Sequence, residues 1–150
     1  MVNIRIFNYK NRAKEIISKY ENIKNVRFTV YDSYEDMIKG CDVVVSAVTF
    51  ADKDFCDESL YKKGCLIVPI HTLGFQACDL TFDKIFGDDT GHIRGFKYFD
   101  FFKCFHETAD ILSCNCCGRE SDDERIIVYN IGIALHDMVF AGELYKRLTS

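Results

Sequence analysis

A neutral amide, Asn8, ends the first apolar run of the chain, and the cations Lys10 and Arg12 follow it. In a doubly wound α/β fold, the residue at the end of the second strand touches an adenosine ribose. An acidic side chain there binds the ribose hydroxyls, whereas a neutral side chain beside cations tolerates a 2′-phosphate. These residues favour NADP, or no strong preference between NADP and NAD. A strand-end turn with a basic helix face is the alternative interpretation.

Polar residues also follow two later apolar runs. Val48 ends the run 42–48 and Thr49 follows it, and their backbone and the Thr49 hydroxyl are suited to contact adenosine or ribose. An ordinary strand-to-helix loop is an equally good interpretation. His71 ends the run 65–71, where it is the one candidate for a catalytic or substrate-orienting group, although a lone histidine is often a structural hydrogen bonder.

The cysteines and paired acids do not predict a metal site. Cys114, Cys116 and Cys117 are the best candidates for zinc ligands, but their spacing matches neither zinc ribbons nor zinc fingers. We therefore predict a thiol-rich loop there. Asp88 and Asp89 are adjacent, and adjacent side chains point apart on most backbones, so we predict a solvated turn.

Strand and helix patterns alternate along the chain, which predicts a parallel sheet with right-handed crossovers. The run 42–48 is almost entirely β-branched, which is typical of a strand buried on both faces. A short helical connection is predicted over 57–63. The other predicted strands cover 3–9, 25–31, 65–71 and 93–99, and the other predicted helices cover 11–20, 33–39 and 79–86. The helix over 33–39 begins at Ser33 with Asp36 three residues on, which is close to a capping box.

The last element is predicted to be a long helix. Ser121 and Glu124 have the spacing of a capping box, and apolar residues recur behind them at helical spacing to about residue 147. This predicts a terminal helix with a wide apolar face, formed by Ile126, Ile127, Ile131, Leu135, Met138, Val139 and Leu144.

The fold class that follows is α/β, with a Rossmann-like parallel sheet flanked by helices and a long C-terminal helix. None of the nine glycines forms the G-x-G-x-x-G loop that holds a pyrophosphate in such folds. The first strand and its glycine loop are thus not found. We expect one partial domain over 1–150, incomplete at its N-terminal side, with an open sheet edge.

Composition narrows the function classes. Hydrophobic residues make up 48% and charged residues 28%, which is typical of a soluble globular protein. The net charge of −4 disfavours nucleic acid and anionic membranes as partners. No apolar run approaches the roughly 20 residues that span a bilayer, and no signal peptide precedes the fold, so a cytoplasmic location is expected.

The order of these segments resembles the C-terminal two-thirds of the ornithine cyclodeaminase/mu-crystallin family. IRIFNYKNRAKEI is similar to that family's second strand, and YEDMIKGCDVVVSAVT is similar to its acidic helix and β-branched run. KKGCLIVPIHTLG resembles the turn and strand that follow. The most specific resemblance is the closing segment GRESDDERIIVYNIGIALHDMVFAGELYKR, with its Gly-Arg loop and long helix.

The resemblance implies a domain that binds NAD or NADP and exchanges hydride between nicotinamide and an amino-acid or imine carbon. By position, Asn8 would meet the adenosine ribose, with Tyr9 standing where an arginine is common and Lys10 beside it. Val48 and Thr49 would lie along the adenosine. Asn130, Ile131 and Gly132 would sit by the nicotinamide.

Two functions remain open. The chain is either an NAD(P)-binding domain that acts on an amino-acid-type small molecule and is incomplete by itself, or a non-catalytic domain that pairs with another chain. The partner would be a second copy in a homo-oligomer, or a complementing N-terminal chain with the first strand and substrate domain.

Overall fold

The computed structural model describes residues 1–48, 53–70, 73, 75 and 77–149, which form two compact units. The first unit comprises residues 1–41 and 55–62, and the second comprises the described residues of 42–54 and 63–150. The expectation of one partial domain over 1–150 stays a prediction.

The first unit contains a two-stranded parallel sheet. Strand β1 (Val2–Phe7) pairs with β2 (Val26–Tyr31), with Val2 opposite Val26 and Phe7 opposite Tyr31. Helix α1 (Ala13–Tyr20) forms the crossover between them, and helix α2 (Tyr34–Ile38) follows β2. All four elements were predicted from the sequence.

Hydrogen bonds fix α2 at both ends. The Ser33 hydroxyl accepts from the Asp36 N–H at 3.2 Å, which is the cap that the sequence predicted. The Arg5 guanidinium on β1 donates to the carbonyls of Met37 and Lys39 at 3.2 and 2.7 Å. These bonds satisfy carbonyls that have no partner within the helix.

The second unit contains a five-stranded parallel sheet in the order β3-β4-β7-β5-β6. The α/β fold with a parallel sheet is therefore confirmed. Its strands are β3 (Val43–Ser46), β4 (Leu66–Pro69), β5 (Lys84–Gly87), β6 (Phe105–Glu107) and β7 (Ile126–Tyr129). Its helices are α3 (Cys78–Thr81), α4 (Thr90–Ile93), α5 (Thr108–Leu112) and α6 (Ala134–Thr149).

The core of the second unit lies around its three central strands. Ile67 of β4, Ile127 of β7 and Ile85 of β5 are adjacent across the sheet and almost completely buried. Phe82 is buried as well, and the Arg125 guanidinium lies 5.0 Å from the centroid of its ring. Burial on both faces is typical of parallel strands flanked by other elements.

Two predicted elements in the middle of the chain are wrong. The helix predicted over 79–86 is a single turn, α3, and the buried strand β5 follows it at once. The strand predicted over 93–99 is absent because the Asp89 carboxylate accepts from the His92 N–H at 3.0 Å and starts α4 there instead. The edge strand β6 and the short helix α5 were not predicted.

The predicted start of the terminal helix is also wrong. Ile126 and Ile127 belong to the central strand β7, and Ser121 and Glu124 form a turn before it. Apolar residues at 126, 127 and 131 fit a helix and a strand alike, and pairing with β4 and β5 selects the strand. The long C-terminal helix itself is confirmed, beginning at Ala134.

Candidate functional site

The strands of the second unit end at one edge of its sheet because they are parallel. Backbone hydrogen bonds continue the pairing at this edge, from the Ile70 N–H to the Ser46 carbonyl at 2.7 Å and from the Asn130 N–H to the Pro69 carbonyl at 3.0 Å. The ends of β3, β4 and β7 therefore lie side by side. Open α/β sheets bind their ligands at this carboxyl edge.

Four of the predicted contact residues lie at this edge. Val48 is half-buried two residues beyond β3, and Asn130, Ile131 and Gly132 directly follow β7. Asn130 is exposed, and its amide donates to the Val128 carbonyl at 3.0 Å, which leaves its side-chain oxygen available to a ligand. Thr49 and His71 lie outside the described residues.

Gly132 adopts a conformation that favours glycine. Its φ is +87°, and an added Cβ would meet no atom within 4 Å, so the space above its backbone is open. The Gly132 N–H donates to one carboxylate oxygen of Asp88, just beyond β5, at 2.7 Å. Asp88 thus links the ends of β5 and β7. The sequence predicted only a solvated turn at Asp88.

Two buried polar atoms lie beside this edge. Within the part of the chain that the structure describes, the Ser46 hydroxyl and the second carboxylate oxygen of Asp88 are buried and have no hydrogen-bond partner. Such atoms are uncommon in folded proteins. Both oxygens are shielded from solvent, and it is the open space at Gly132 that suits a polar ligand such as a nicotinamide or ribose group.

A buried pair ties the segment after β4 to the end of β7. The Tyr129 hydroxyl donates to the Asp79 carboxylate and accepts from the Phe75 N–H at 2.5 Å. Both Asp79 oxygens also lie 3.1 Å from the Phe75 nitrogen. Burial raises the pKa of Asp79 to about 6 and that of Tyr129 well above its ordinary value.

Sequence reasoning missed this pair. Tyr129 and Asp79 are both completely buried, so they hold the backbone of the site and do not touch a ligand. The one available signal was a tyrosine that ends an apolar run, since a buried tyrosine hydroxyl needs a partner. Nothing in the sequence indicated that Asp79 is that partner.

The first unit holds the other predicted contact residues. Asn8 lies at the carboxyl end of β1, and its amide donates to the Asp32 carboxylate at 3.1 Å and to Asn11 at 3.3 Å. Asp32 directly follows β2 and is exposed. Tyr9 and Lys10 are exposed beside Asn8, with the Lys10 ammonium 5.1 Å from the Tyr9 ring centroid.

The structure adds an acid to a site where the sequence had suggested cations. The Arg12 guanidinium pairs with Glu15 at 3.0 Å, so its charge is partly neutralised. Lys10 lies two residues after Asn8. The Asp32 carboxylate, bonded to Asn8, is suited to accept from ribose hydroxyls and repels a phosphate.

The cysteines are thiols, and Cys114, Cys116 and Cys117 lie in the loop after α5. No group of three or more His, Cys, Asp or Glu side chains could hold a metal ion among the described residues. None of the described helices is long and apolar enough to cross a membrane.

Comparisons with known proteins give one relative in sequence and several in structure. No family model matches the chain. The chain is 28% identical over 118 residues to the nodulation efficiency protein NfeD of Rhizobium meliloti. The match covers 74% of this chain and 37% of NfeD, so the chain spans little more than a third of that relative.

Two solved structures share the fold. The Δ1-pyrroline-2-carboxylate reductase of Thermococcus litoralis, in complex with NADH and L-proline, matches with a TM-score of 0.79 and 16% identity over 97% of this chain and 50% of its own. A probable ornithine cyclodeaminase of Bordetella pertussis Tohama I matches with a TM-score of 0.74 and 16% identity over 98% of this chain and 59% of its own.

These likenesses concern the fold. The fold of the chain is Rossmann-like, and it is similar to the fold of part of each of these two proteins. It spans half to three-fifths of those two proteins. The name of the sequence relative NfeD refers to neither of these two enzymes.

Proposed function

We propose that this chain is a nicotinamide-dinucleotide-binding domain of an ornithine cyclodeaminase/mu-crystallin-like protein. The observation that carries the proposal is the carboxyl edge of the second unit, where Val48, Asn130 and Gly132 lie beside the unpartnered oxygens of Ser46 and Asp88. Of the two similar structures, the reductase contains NADH, which supports the same class of ligand here.

The nicotinamide end of the ligand is assigned to the second unit. The side-chain oxygen of Asn130 would accept from the carboxamide, and the open space at Gly132 would admit the ring. Ile131 offers an apolar contact. When bound, the cofactor supplies or accepts a hydride, and the residues of this chain bind and orient it.

Within the first unit, Asn8, Tyr9 and Lys10 are suited to contact an adenosine ribose. Because the Asn8 amide is bonded to Asp32, the ribose hydroxyls would face an amide oxygen and a carboxylate. We therefore propose a preference for NAD over NADP, although the sequence alone had favoured NADP or neither.

Affinity is expected to be low in the isolated chain. A glycine loop and the first helix normally hold the pyrophosphate, and the sequence contains no such loop. In a fluorescence titration of the full chain, NADH should bind saturably with a dissociation constant above about 100 μM. A micromolar constant would contradict the role given to the glycine loop in affinity, and no binding at millimolar NADH would contradict the cofactor assignment.

Asn130→Ala tests the nicotinamide assignment. Loss of the side-chain oxygen should weaken NADH binding about fivefold to tenfold, which corresponds to one hydrogen bond. Asn115→Ala, at an exposed asparagine after α5, is the matched control and should leave the dissociation constant unchanged. Equal effects of the two substitutions would refute the assignment.

Asp32→Asn tests the preference for NAD. Removing the negative charge should raise the affinity for NADPH relative to NADH about fivefold or more. Asp36→Asn, at an exposed acid on α2, should leave the ratio of the two dissociation constants unchanged. An unchanged ratio in Asp32→Asn would show that this carboxylate does not face the ribose.

We further propose that this domain, joined to a substrate-binding domain, carries out the chemistry of the ornithine cyclodeaminase/mu-crystallin family. It would exchange hydride between nicotinamide and the carbon of an amino acid or imine, with His71 as the candidate substrate-side group. We propose a cytoplasmic location, because thiols are the ordinary state of cysteine in a reducing compartment.

The unpaired side and exposed valines of β3 favour a second candidate function. This strand pairs with β4 on one side, and no described strand pairs with its other side. Val43 and Val45 on β3 are 52% and 60% exposed, although their run is typical of a strand buried on both faces. An unpaired strand with an apolar face can accept a strand and a covering helix from a complementing chain. The chain would then be a non-catalytic pairing domain.

Co-expression with the polypeptide encoded immediately upstream tests this candidate. Val45→Lys should abolish co-purification because a charge on an edge strand blocks strand addition. Ile16→Lys, at an exposed apolar residue of α1, should leave it intact. Co-purification that survives Val45→Lys would refute pairing at β3.

A further inference from the structure

The loop after α5 contains three thiols that the proposed function does not use, those of Cys114, Cys116 and Cys117. The first and last of them have the spacing C-x-x-C. Cysteine pairs at this spacing are typical of proteins that exchange thiols and disulfides. In a reducing compartment, disulfides of this kind are transient and serve catalysis or redox sensing.

The backbone turns back between Cys114 and Cys117. The N–H groups of Cys114 and Asn115 donate to carbonyls of the last turn of α5 at 3.1 and 2.8 Å, which ends the helix. The chain then bends at Asn115 and at Cys116. A segment bent at both of its central residues folds its first and last residues towards each other. A disulfide needs this approach, because its two Cα atoms lie about 4.4–6.8 Å apart.

Exposure and acidity separate the three thiols of the loop. Cys114 and Cys117 are exposed, whereas Cys116 is half-buried. Burial raises the pKa of the Cys116 thiol, and the Asp110 carboxylate and the neighbouring thiols of Cys104 and Cys117 raise it further. A raised pKa leaves less of the thiolate, which is the form that attacks a disulfide. The exposed pair is therefore better suited to react than Cys116.

The sheet explains why Cys116 is the buried member. The register of β5 and β6 places Cys104 level with Lys84, so their side chains lie on the same face of the sheet. The Lys84 ammonium donates to the Gly118 carbonyl at 2.8 Å, which holds the end of the loop against that face. Cys116 is thus turned towards Cys104 and away from the exposed pair.

Cys114 adopts a backbone conformation that favours glycine. Its φ is +58°, in the left-handed region where glycine is the usual residue at the end of a helix. Backbone strain of this kind is concentrated at functional sites. A cysteine in place of glycine is accounted for if its thiol reacts.

We propose that Cys114 and Cys117 are a reversible oxidation site that reacts with low-molecular-weight disulfides to form one intramolecular disulfide. One thiolate of the pair attacks a sulfur of the small disulfide, whose S–S bond breaks and releases one small thiolate. The other cysteine then attacks the protein sulfur of the mixed disulfide and releases the second small thiolate. The pair loses two electrons and two protons, and the small disulfide gains them as it becomes two thiols. This site is independent of the proposed cofactor binding.

Equilibration with mixtures of reduced and oxidised glutathione in the absence of air tests the proposal. Free thiols of the full chain are blocked with N-ethylmaleimide, and the disulfides are then reduced and labelled with iodoacetamide. A single tryptic peptide, 104–119, contains Cys104 and all three cysteines of the loop, so its fragment masses assign every label. Cys114 and Cys117 should gain the label together. The labelled fraction should follow the ratio of oxidised glutathione to the square of reduced glutathione, as an intramolecular disulfide requires.

Three substitutions test the assignment within the loop. Cys117→Ser should lower the intramolecular disulfide about tenfold or more and leave Cys114 as a mixed disulfide with glutathione. Cys114→Gly should have the same effect on the intramolecular disulfide, and it keeps the fold because glycine favours the backbone conformation at this position. Cys116→Ser is the matched control and should leave the labelled fraction unchanged. Circular dichroism checks the fold of each variant.

Several outcomes would overturn the proposal. One is a disulfide between Cys104 and Cys116, and another is the loss of the disulfide in Cys116→Ser. A disulfide between two copies of the chain, or four reduced cysteines in excess oxidised glutathione, would do so as well. None of these measurements involves NADH, so their failure leaves the cofactor proposal to its own titration.

Discussion

At the scale of single residues, a carboxyl group and a phenol share the interior of the second unit. Asp79 and Tyr129 are bonded to each other and to the Phe75 N–H, and neither has access to solvent. A buried polar group without a partner costs about 1–3 kcal/mol, so each member of the cluster depends on the others. The cluster fixes Tyr129 immediately before Asn130, which the proposed function places beside nicotinamide.

Tyr129→Phe removes the hydroxyl and leaves Asp79 with the Phe75 N–H as its remaining partner in the cluster. We expect the free energy of unfolding to fall by about 1–3 kcal/mol in urea denaturation at pH 7. Tyr20→Phe, at a tyrosine on α1 that is partly exposed, should change it by less than about 0.5 kcal/mol. Equal stability of the Tyr129 variant and the parent chain would contradict the role assigned to the hydroxyl.

The pKa of Asp79 predicts a pH dependence. Because this pKa is about 6 in the folded protein and 3.8 as the ordinary value, the folded state binds a proton more tightly than the unfolded state. The stabilisation from this proton is complete below about pH 3.8 and is lost as the pH rises through about 6. A shift of this size corresponds to about 3 kcal/mol.

Asp79→Asn separates this contribution from those of other acids, because asparagine stays neutral. Relative to the variant, the parent chain should lose about 2 kcal/mol of unfolding free energy between pH 4 and pH 7, because the unfolded carboxyl is already partly ionised at pH 4. Urea denaturation at both pH values measures the difference. A difference that does not change with pH would show that burial leaves this carboxyl unperturbed.

At the scale of elements, the turn at Gly64 and the loop that contains Arg119 fix the position of the start of β4. Gly64 precedes β4 with a φ of +74°, and a Cβ on it would lie 2.2 Å from the Asp122 carbonyl oxygen. The Arg119 guanidinium donates to the carbonyls of Gly64 and Glu124, the Gly64 bond at 3.0 Å. The loop that contains Gly118 and Arg119 therefore connects the start of β4 to the residues before β7 through hydrogen bonds.

Gly64→Ala combines backbone strain with a clash against backbone and should lower the free energy of unfolding by more than about 2 kcal/mol. Gly40→Ala is the matched control, because Gly40 has a φ of +75° and open space around it. It carries the strain alone, which is about 1 kcal/mol. Thermal or urea denaturation of both variants gives the comparison, and equal losses would show that the Asp122 carbonyl yields without cost.

At the scale of the whole molecule, a ligand that binds only the folded chain stabilises it by mass action. If the dissociation constant for NADH is near the expected lower limit of about 100 μM, 10 mM NADH should raise the free energy of unfolding by about 2.7 kcal/mol. Thermal denaturation with and without NADH measures this, with AMP at the same concentration as the comparison. An NADH effect no larger than that of AMP would show that the nicotinamide end makes no contact.

The sequence by itself determined β1, β2, β3 and β4, because their β-branched and alternating residues favour strands locally. It also predicted the Ser33 cap and the placement of Val48 at a strand end, since a strand end is marked where an apolar run stops. Tertiary structure decided the rest. The run Ile126–Tyr129 became a central strand because β4 and β5 pair with it from both sides, and that pairing is not encoded within the run. The Asp79–Tyr129 pair and the Asn8–Asp32 bond join residues 50 and 24 positions apart, so only folding brings their partners together.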